Sequence, residues 1–108
     1  MNWKDIPSLA ALRAFEALAR HGTLAAAAGS LNVTHAAIAQ PVRTLETHLA
    51  VTLTKRTGRG LTLTPEGKDL AAALSEGFGV IHAGVQAIKT SNEDKPLSIT
   101  TTPSFAEN

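Results

Sequence analysis

The sequence has no cysteine and no tyrosine, one tryptophan, one methionine and three phenylalanines among its 108 residues. Without cysteine, a disulfide framework and cysteine-built zinc sites are excluded. The four histidines, at 21, 35, 48 and 82, show no ligand spacing such as HxxxH, so neither a metal site nor a cofactor is expected. No apolar run approaches the roughly 18 residues of a membrane span. The opening Met1-Asn2-Trp3-Lys4-Asp5-Ile6-Pro7-Ser8-Leu9 lacks the basic-then-apolar layout of a secretory signal. The expectation is a soluble, cytoplasmic chain with no membrane partner. A catalytic constellation is also missing: there is no Ser-His-Asp set, no glycine-rich phosphate loop after a strand and no carboxylate pair on one short element. An enzyme is therefore not expected.

What is present is 44% apolar sequence, enough for one small domain with an appendage. The net charge of +1 conceals an asymmetry. Residues 1–64 carry seven Lys/Arg against three acids, a balance of +4, and residues 65–108 carry three Lys against six acids, a balance of −3. A basic half joined to an acidic half suggests that one part meets a polyanion and the other does something else.

The alanine-rich first half, with few β-branched residues, favours helix. A first helix is expected from Ser8 to Arg20, with Leu9, Leu12, Phe15 and Leu18 as its apolar stripe and Arg20-His21-Gly22 as its stop. Thr23 reads as the N-cap of a short helix, Leu24 to Leu31. After the turn Asn32-Val33, Thr34 caps a third helix, His35 to about Leu49, whose buried stripe is Ile38, Val42, Leu45 and Leu49. Two helices separated by two or three residues have the sequence shape of a helix-turn-helix. Val51 to Lys55 and Leu61 to Thr64 then alternate around Thr57-Gly58-Arg59-Gly60 and read as a β-hairpin, a wing. Thr64-Pro65-Glu66 opens a long helix to about Ser91. Its apolar residues Leu70, Leu74, Phe78, Ile81, Val85 and Ile88 follow heptad-like spacing and form an expected dimerisation seam. Pro41, inside the third helix, is expected to kink it. Trp3 is expected to cover the helix base or meet a second copy. Leu97 to Thr100 reads as a strand with no sheet to join, so a larger domain is expected downstream.

This order of elements resembles the N-terminal region of LysR-type transcriptional regulators, in the branch similar to glycine-cleavage activators. The resemblance rests on Ile6-Pro7-Ser8-Leu9 through Phe15, on Leu24 and Ala27-Ala28 through Thr34, and on Ala37-Ile38 through Val42-Arg43 with Leu45-Glu46. It extends through Leu53, Arg56, Arg59-Gly60 and Leu61-Thr62-Leu63-Thr64 with Gly67, and from Pro96-Leu97 to Ala106. The chain departs from the family where Ala39 replaces a usual Ser, Ala50 a usual Gly and Thr54 a usual aromatic, and where Pro41 enters the third helix.

The resemblance implies a mainly α, winged helix-turn-helix fold followed by a long helix. Residues 1–64 would form the DNA-binding domain, 65–92 a linker and dimerisation helix, and 93–108 a linker plus the first strand of a truncated effector-binding domain. The implied partners are double-stranded DNA and a second copy, with tetramers in the full-length protein. A small-molecule effector would act only through the missing domain. The function implied is sequence-specific transcriptional regulation from an inverted-repeat operator, the third helix in the major groove and the wing in the minor groove. Two other readings are a helical interaction module that does not bind DNA specifically and a MarR-like winged-helix regulator. The downstream strand argues against the second.

The expected DNA-binding residues are Thr23, Thr34, His35, Ala36, Ala39, Gln40, Arg43, Arg56, Arg59 and Thr62. Gln40 can pair bidentately with adenine, Arg43 can reach guanine or a phosphate, and Ala36 and Ala39 can meet thymine methyls. Arg59, at the wing tip, suits the negative minor groove. Lys55, Arg56 and the threonine hydroxyls, Thr64 included, suit phosphates. Each has a plainer reading: Gln40, Arg43 and His35 solvate a helix, the threonines cap helices, Arg56 pairs with an acid such as Glu46, and His82 edges the dimer seam.

Overall fold

The computed structural model describes residues 1–58 and 60–93; the wing-tip Arg59 and the expected strand from Leu97 lie outside the described residues. The chain divides into two compact units, with the break between Glu76 and Gly77. After a 3-10 turn at Trp3–Asp5, the elements are α1 (Leu9–His21), α2 (Leu24–Leu31), α3 (His35–Leu49), β1 (Thr54–Thr57), β2 (Gly60–Leu63) and α4 (Pro65–Glu93).

Three side-chain caps start the helices of the first unit. Ser8 Oγ accepts the Ala11 N–H at 3.4 Å, Thr23 Oγ1 accepts that of Ala26 at 3.0 Å, and Thr34 Oγ1 accepts that of Ala37 at 3.1 Å. Left-handed residues end them. Gly22 closes α1 at φ 83°, Asn32 closes α2 at φ 58° and Ala50 closes α3 at φ 58°. The last two form Schellman turns: Val33 N–H donates to the Ala28 carbonyl, and Val51 N–H to that of Glu46. In the first case the turn is followed within one residue by the Thr34 cap, so α2 and α3 are joined at a fixed angle by backbone hydrogen bonds rather than by a loop.

The core lies among α1, α2 and α3. Phe15, Ile38, Leu45 and Leu53 are its largest fully buried side chains, with Leu12, Leu18 and Val42 around them. Ala17, Ala27 and Ala28 are buried at contacts where larger side chains would keep the helices apart. Two expected core positions are on the surface instead, Leu9 at 57% exposure and Leu49 at 37%, and Trp3 is 66% exposed. Leu9 is the first residue of α1 and Leu49 the last of α3, where a helix has packing neighbours on fewer sides. Trp3 lies on a 3-10 turn that buries none of its residues and so covers no helix base.

The hairpin is antiparallel, with Thr54 opposite Leu63, Lys55 opposite Thr62, Arg56 opposite Leu61 and Thr57 opposite Gly60. Gly58 takes φ 55°, the sign a two-residue hairpin turn requires at its first central position. The first strand starts three residues later than the alternation from Val51 suggests. The chain from Ala50 to Leu53 is used otherwise: Ala50 and Val51 bond back to the end of α3, and Leu53 plugs the core at 1% exposure. Pro41 leaves α3 assigned as helix without interruption from His35 to Leu49, although it has no N–H to give the Ala37 carbonyl.

Helix α4 opens on Thr64, whose hydroxyl accepts the Gly67 N–H at 3.0 Å and donates to the Thr52 carbonyl at 2.6 Å. Its 29 residues make it roughly 43 Å long at 1.5 Å per residue. Leu70, Leu74 and Phe78 are half-buried, whereas Ile81, Val85 and Ile88 are 61%, 46% and 65% exposed.

Candidate nucleic-acid interface

An amphipathic helix buried along one side necessarily presents the other. In α3 the buried stripe is Ile38, Val42 and Leu45, and the residues half a turn away are Ala36, Gln40 and Arg43, all exposed. Thr34 and His35 are exposed at the helix start, and Ala39 is half-buried at the edge of the stripe. The expected reading residues of α3 therefore share one end of one helix. The outward ridge continues through Thr44 and Thr47, also exposed, which the sequence reading did not single out. The signal was available in the spacing from Gln40 by four and seven. The Thr47 hydroxyl is engaged locally, donating to the Arg43 carbonyl at 3.1 Å.

Two open grooves flank this ridge. Toward the start of α1 it is bounded by Ser8, Ala11, Thr34, Ala37, Gln40 and Thr44. Toward the wing, a groove is lined by Leu24, Ala39, Arg43, Glu46, Thr54 and Arg56. It adjoins a cleft lined by Thr23, Arg56, Gly58 and Leu61. Arg43, Ala39, Thr23 and Arg56 thus border connected space between the helix-turn-helix and one face of the hairpin.

The strand register separates residues that the sequence reading grouped. Arg56 is paired with Leu61, and Lys55 with Thr62, so Arg56 and Thr62 point to opposite faces of the hairpin. Thr62 is on the face that carries Lys55, away from the groove. Thr64 is 7% exposed with its hydroxyl both donating and accepting inside the protein, so it is no phosphate contact. Arg56 does not pair with Glu46. The Glu46 carboxylate instead accepts backbone N–H groups of Leu53 and Thr54 at 2.8 and 3.3 Å. Among the described residues one ion pair forms, Arg20 with Glu16 at 3.1 Å on α1. Arg43, Lys55 and Arg56 form no ion pair with the described residues. His82 Nε2 lies 3.3 Å from Gln86 Nε2, one helical turn on.

Among the described residues, no group of three metal-ligating side chains occurs, and no helix is long and apolar enough to cross a membrane.

Comparison with known proteins supplies the context for this geometry. The family model for the bacterial regulatory helix-turn-helix protein, lysR family, matches residues 9–68. The AhcY transcriptional activator HvrB of Rhodobacter capsulatus is 48% identical over 106 residues, covering 98% of this chain and 36% of that protein. The glycine cleavage system transcriptional activator of Escherichia coli is 35% identical over 103 residues, covering 95% of this chain and 34% of its own length. The chain therefore spans about a third of the length of these relatives. Among solved structures, an OxyR mutant of Corynebacterium glutamicum superposes with a TM-score of 0.71 at 29% identity, over 80% of this chain and 28% of that one. The CbnR DBD in its DNA complex superposes with a TM-score of 0.64 at 26% identity, over 84% of this chain and 98% of that one. Matching family model, relatives and fold agree: the chain belongs to the LysR family of bacterial helix-turn-helix regulatory proteins and comprises the winged helix-turn-helix DNA-binding domain of such a regulator.

Proposed function

We propose that the chain binds an inverted-repeat operator as a homodimer, each α3 entering a major groove and each wing lying over the adjacent minor groove. The observation that carries this reading is the exposed ridge Ala36-Gln40-Arg43 on the first half of α3, held out by a fully buried opposite face. The same fold in the CbnR DBD was solved on DNA. In this reading Gln40 pairs with adenine, Arg43 takes guanine or a phosphate, and Ala36 and Ala39 meet thymine methyls. His35, Thr23, Thr34 and Arg56 meet phosphates, and Arg59 enters the minor groove. Thr62 would touch DNA only from the outer face of the wing. The seam Leu70, Leu74, Phe78, Ile81, Val85 and Ile88 joins two copies and sets the spacing of half-sites, one helical turn or more apart. In the whole protein, tetramer formation and a small-molecule effector would involve sequence beyond residue 92.

Selection of bound sequences from random duplex DNA, followed by salt titration on the winner, tests this. The expected result is an enriched inverted repeat with log affinity falling linearly in log salt, by about 0.9 per phosphate neutralised. A folded, dimeric protein that enriches no sequence would contradict it and favour an interaction module.

A further inference from the structure

Arg43 on α3 and Arg56 on the wing border the same groove, yet they belong to elements with no hydrogen-bonded ladder between them. Among the described residues, the polar ties between the hairpin and the helices run through its base. One tie belongs to the first strand alone. Glu46 stands one helical turn after Arg43 on the flank of α3 that faces the wing, and its Oε2 accepts the Leu53 N–H at 2.8 Å and the Thr54 N–H at 3.3 Å. Thr54 is the first residue of β1, and Arg56 lies two residues on, on the same face of the strand. A carboxylate that accepts two backbone N–H groups makes charge-assisted bonds, and here it satisfies the Leu53 and Thr54 donors where β1 departs from the core. The backbone that begins the wing is thus held by the helix that would read bases.

We propose that Glu46 is a positioning residue that fixes the wing cation Arg56 relative to the reading ridge of α3. It thereby sets the backbone-phosphate share of DNA binding without touching DNA. This rests on the DNA-binding reading above. An acid inside a basic interface otherwise weakens DNA binding by repulsion, and the two roles have opposite signs on neutralisation.

The test is salt titration of the full chain on the duplex selected by the wild type, with Glu46→Ala, Glu46→Gln and Glu46→Asp. In Glu46→Ala, binding is expected to weaken about tenfold, with a salt slope shallower by up to about two as Arg56 of each protomer disengages. Base preference under α3 is expected to stay. Glu46→Gln retains a side-chain carbonyl that accepts both N–H groups, and it is expected to keep the wild-type slope. Glu46→Asp keeps the charge but falls one methylene short, and it is expected to behave like Glu46→Ala even if the alanine variant does not fold. Amide exchange at Leu53 and Thr54 is expected to be slow in the wild type and Glu46→Gln and fast in Glu46→Asp.

An unchanged slope in Glu46→Asp and Glu46→Ala would overturn the proposal, because local loosening alone lowers the active fraction and not the slope. Equal tightening in Glu46→Ala and Glu46→Gln would assign repulsion instead. A wild type that binds no duplex would sink the DNA-binding reading itself, a result separable from either.

Discussion

Gly67→Ala is expected to destabilise the first unit by about 3 kcal/mol, although helix propensity alone would favour alanine by about 1 kcal/mol. The residue is in the first turn of α4, and the backbone of Leu53 crosses directly against its Cα. A Cβ there would overlap the Leu53 carbonyl oxygen and sit 3.0 Å from the carbonyl carbon. That carbonyl cannot give way, because it accepts the Thr64 N–H at 3.1 Å, while the Leu53 amide is held by Glu46 and its side chain fills the core. Nor can α4 retreat without breaking the bonds that Thr64, at its start, donates to the Leu53 and Thr52 carbonyls. Thermal melts should place the variant about 12–24 °C below the wild type, given roughly 4–8 °C per kcal/mol for a unit of this size. Gly79→Ala is the control: a Cβ there meets nothing within 4 Å, and its position on α4 is opposite the apolar seam. It is expected to be neutral or stabilising. If both variants melt alike, the close approach at Gly67 is not a constraint.

Ile81→Glu is expected to separate the dimer and to cut affinity for an inverted repeat by about a hundredfold or more, since two linked half-site contacts gain about 10²–10⁴ from effective concentration. Ile81 is 61% exposed in the single chain, in line with Val85 and Ile88 on the same face of α4. An association that covers these side chains would leave a charge at position 81 desolvated in both copies. Sedimentation should show a dimer for the wild type and a monomer for Ile81→Glu, whose affinity for a single half-site should match the wild type. Ala83→Glu, on the opposite side of the helix, should leave both properties intact. A dimeric Ile81→Glu with full affinity would place the interface elsewhere.

Local chemistry made most of the first unit legible in the sequence. Thr23, Asn32 and Thr34 are residues whose side chains or φ preferences stop and start helices, and α2 begins and ends, and α3 begins, where those residues stand. The long α4 was legible for the same reason, from Thr64-Pro65 onward. The wing was displaced because period-2 alternation from Val51 looks like strand, whereas the partners of Ala50, Val51 and Leu53 are on α3, a tertiary fact that alternation does not carry. Leu9 and Leu49 illustrate a related gap: a helical stripe gives the buried side of a helix, not how far along it the neighbours reach. At the interface, spacing alone brought together the α3 residues. It could not show that Arg56 and Thr62 face apart, because that depends on cross-strand register. The usual family glycine at position 50 has a physical reason here. Ala50 takes φ 58°, a conformation that costs a residue with a Cβ about 1 kcal/mol.

Sequence selection repeated with Gln40→Ala tests most directly whether the exposed ridge of α3 reads bases. The expected result is the wild-type inverted repeat with its spacing intact, but with preference lost at one base pair in each half-site. A bidentate contact of this kind carries about 1–3 kcal/mol of discrimination. A Gln40→Ala variant that selects the same motif at every position with the same strength would contradict a base-reading role for Gln40. The same result from Gln40→Ala and Arg43→Ala combined would contradict the assignment of α3 as the reading helix.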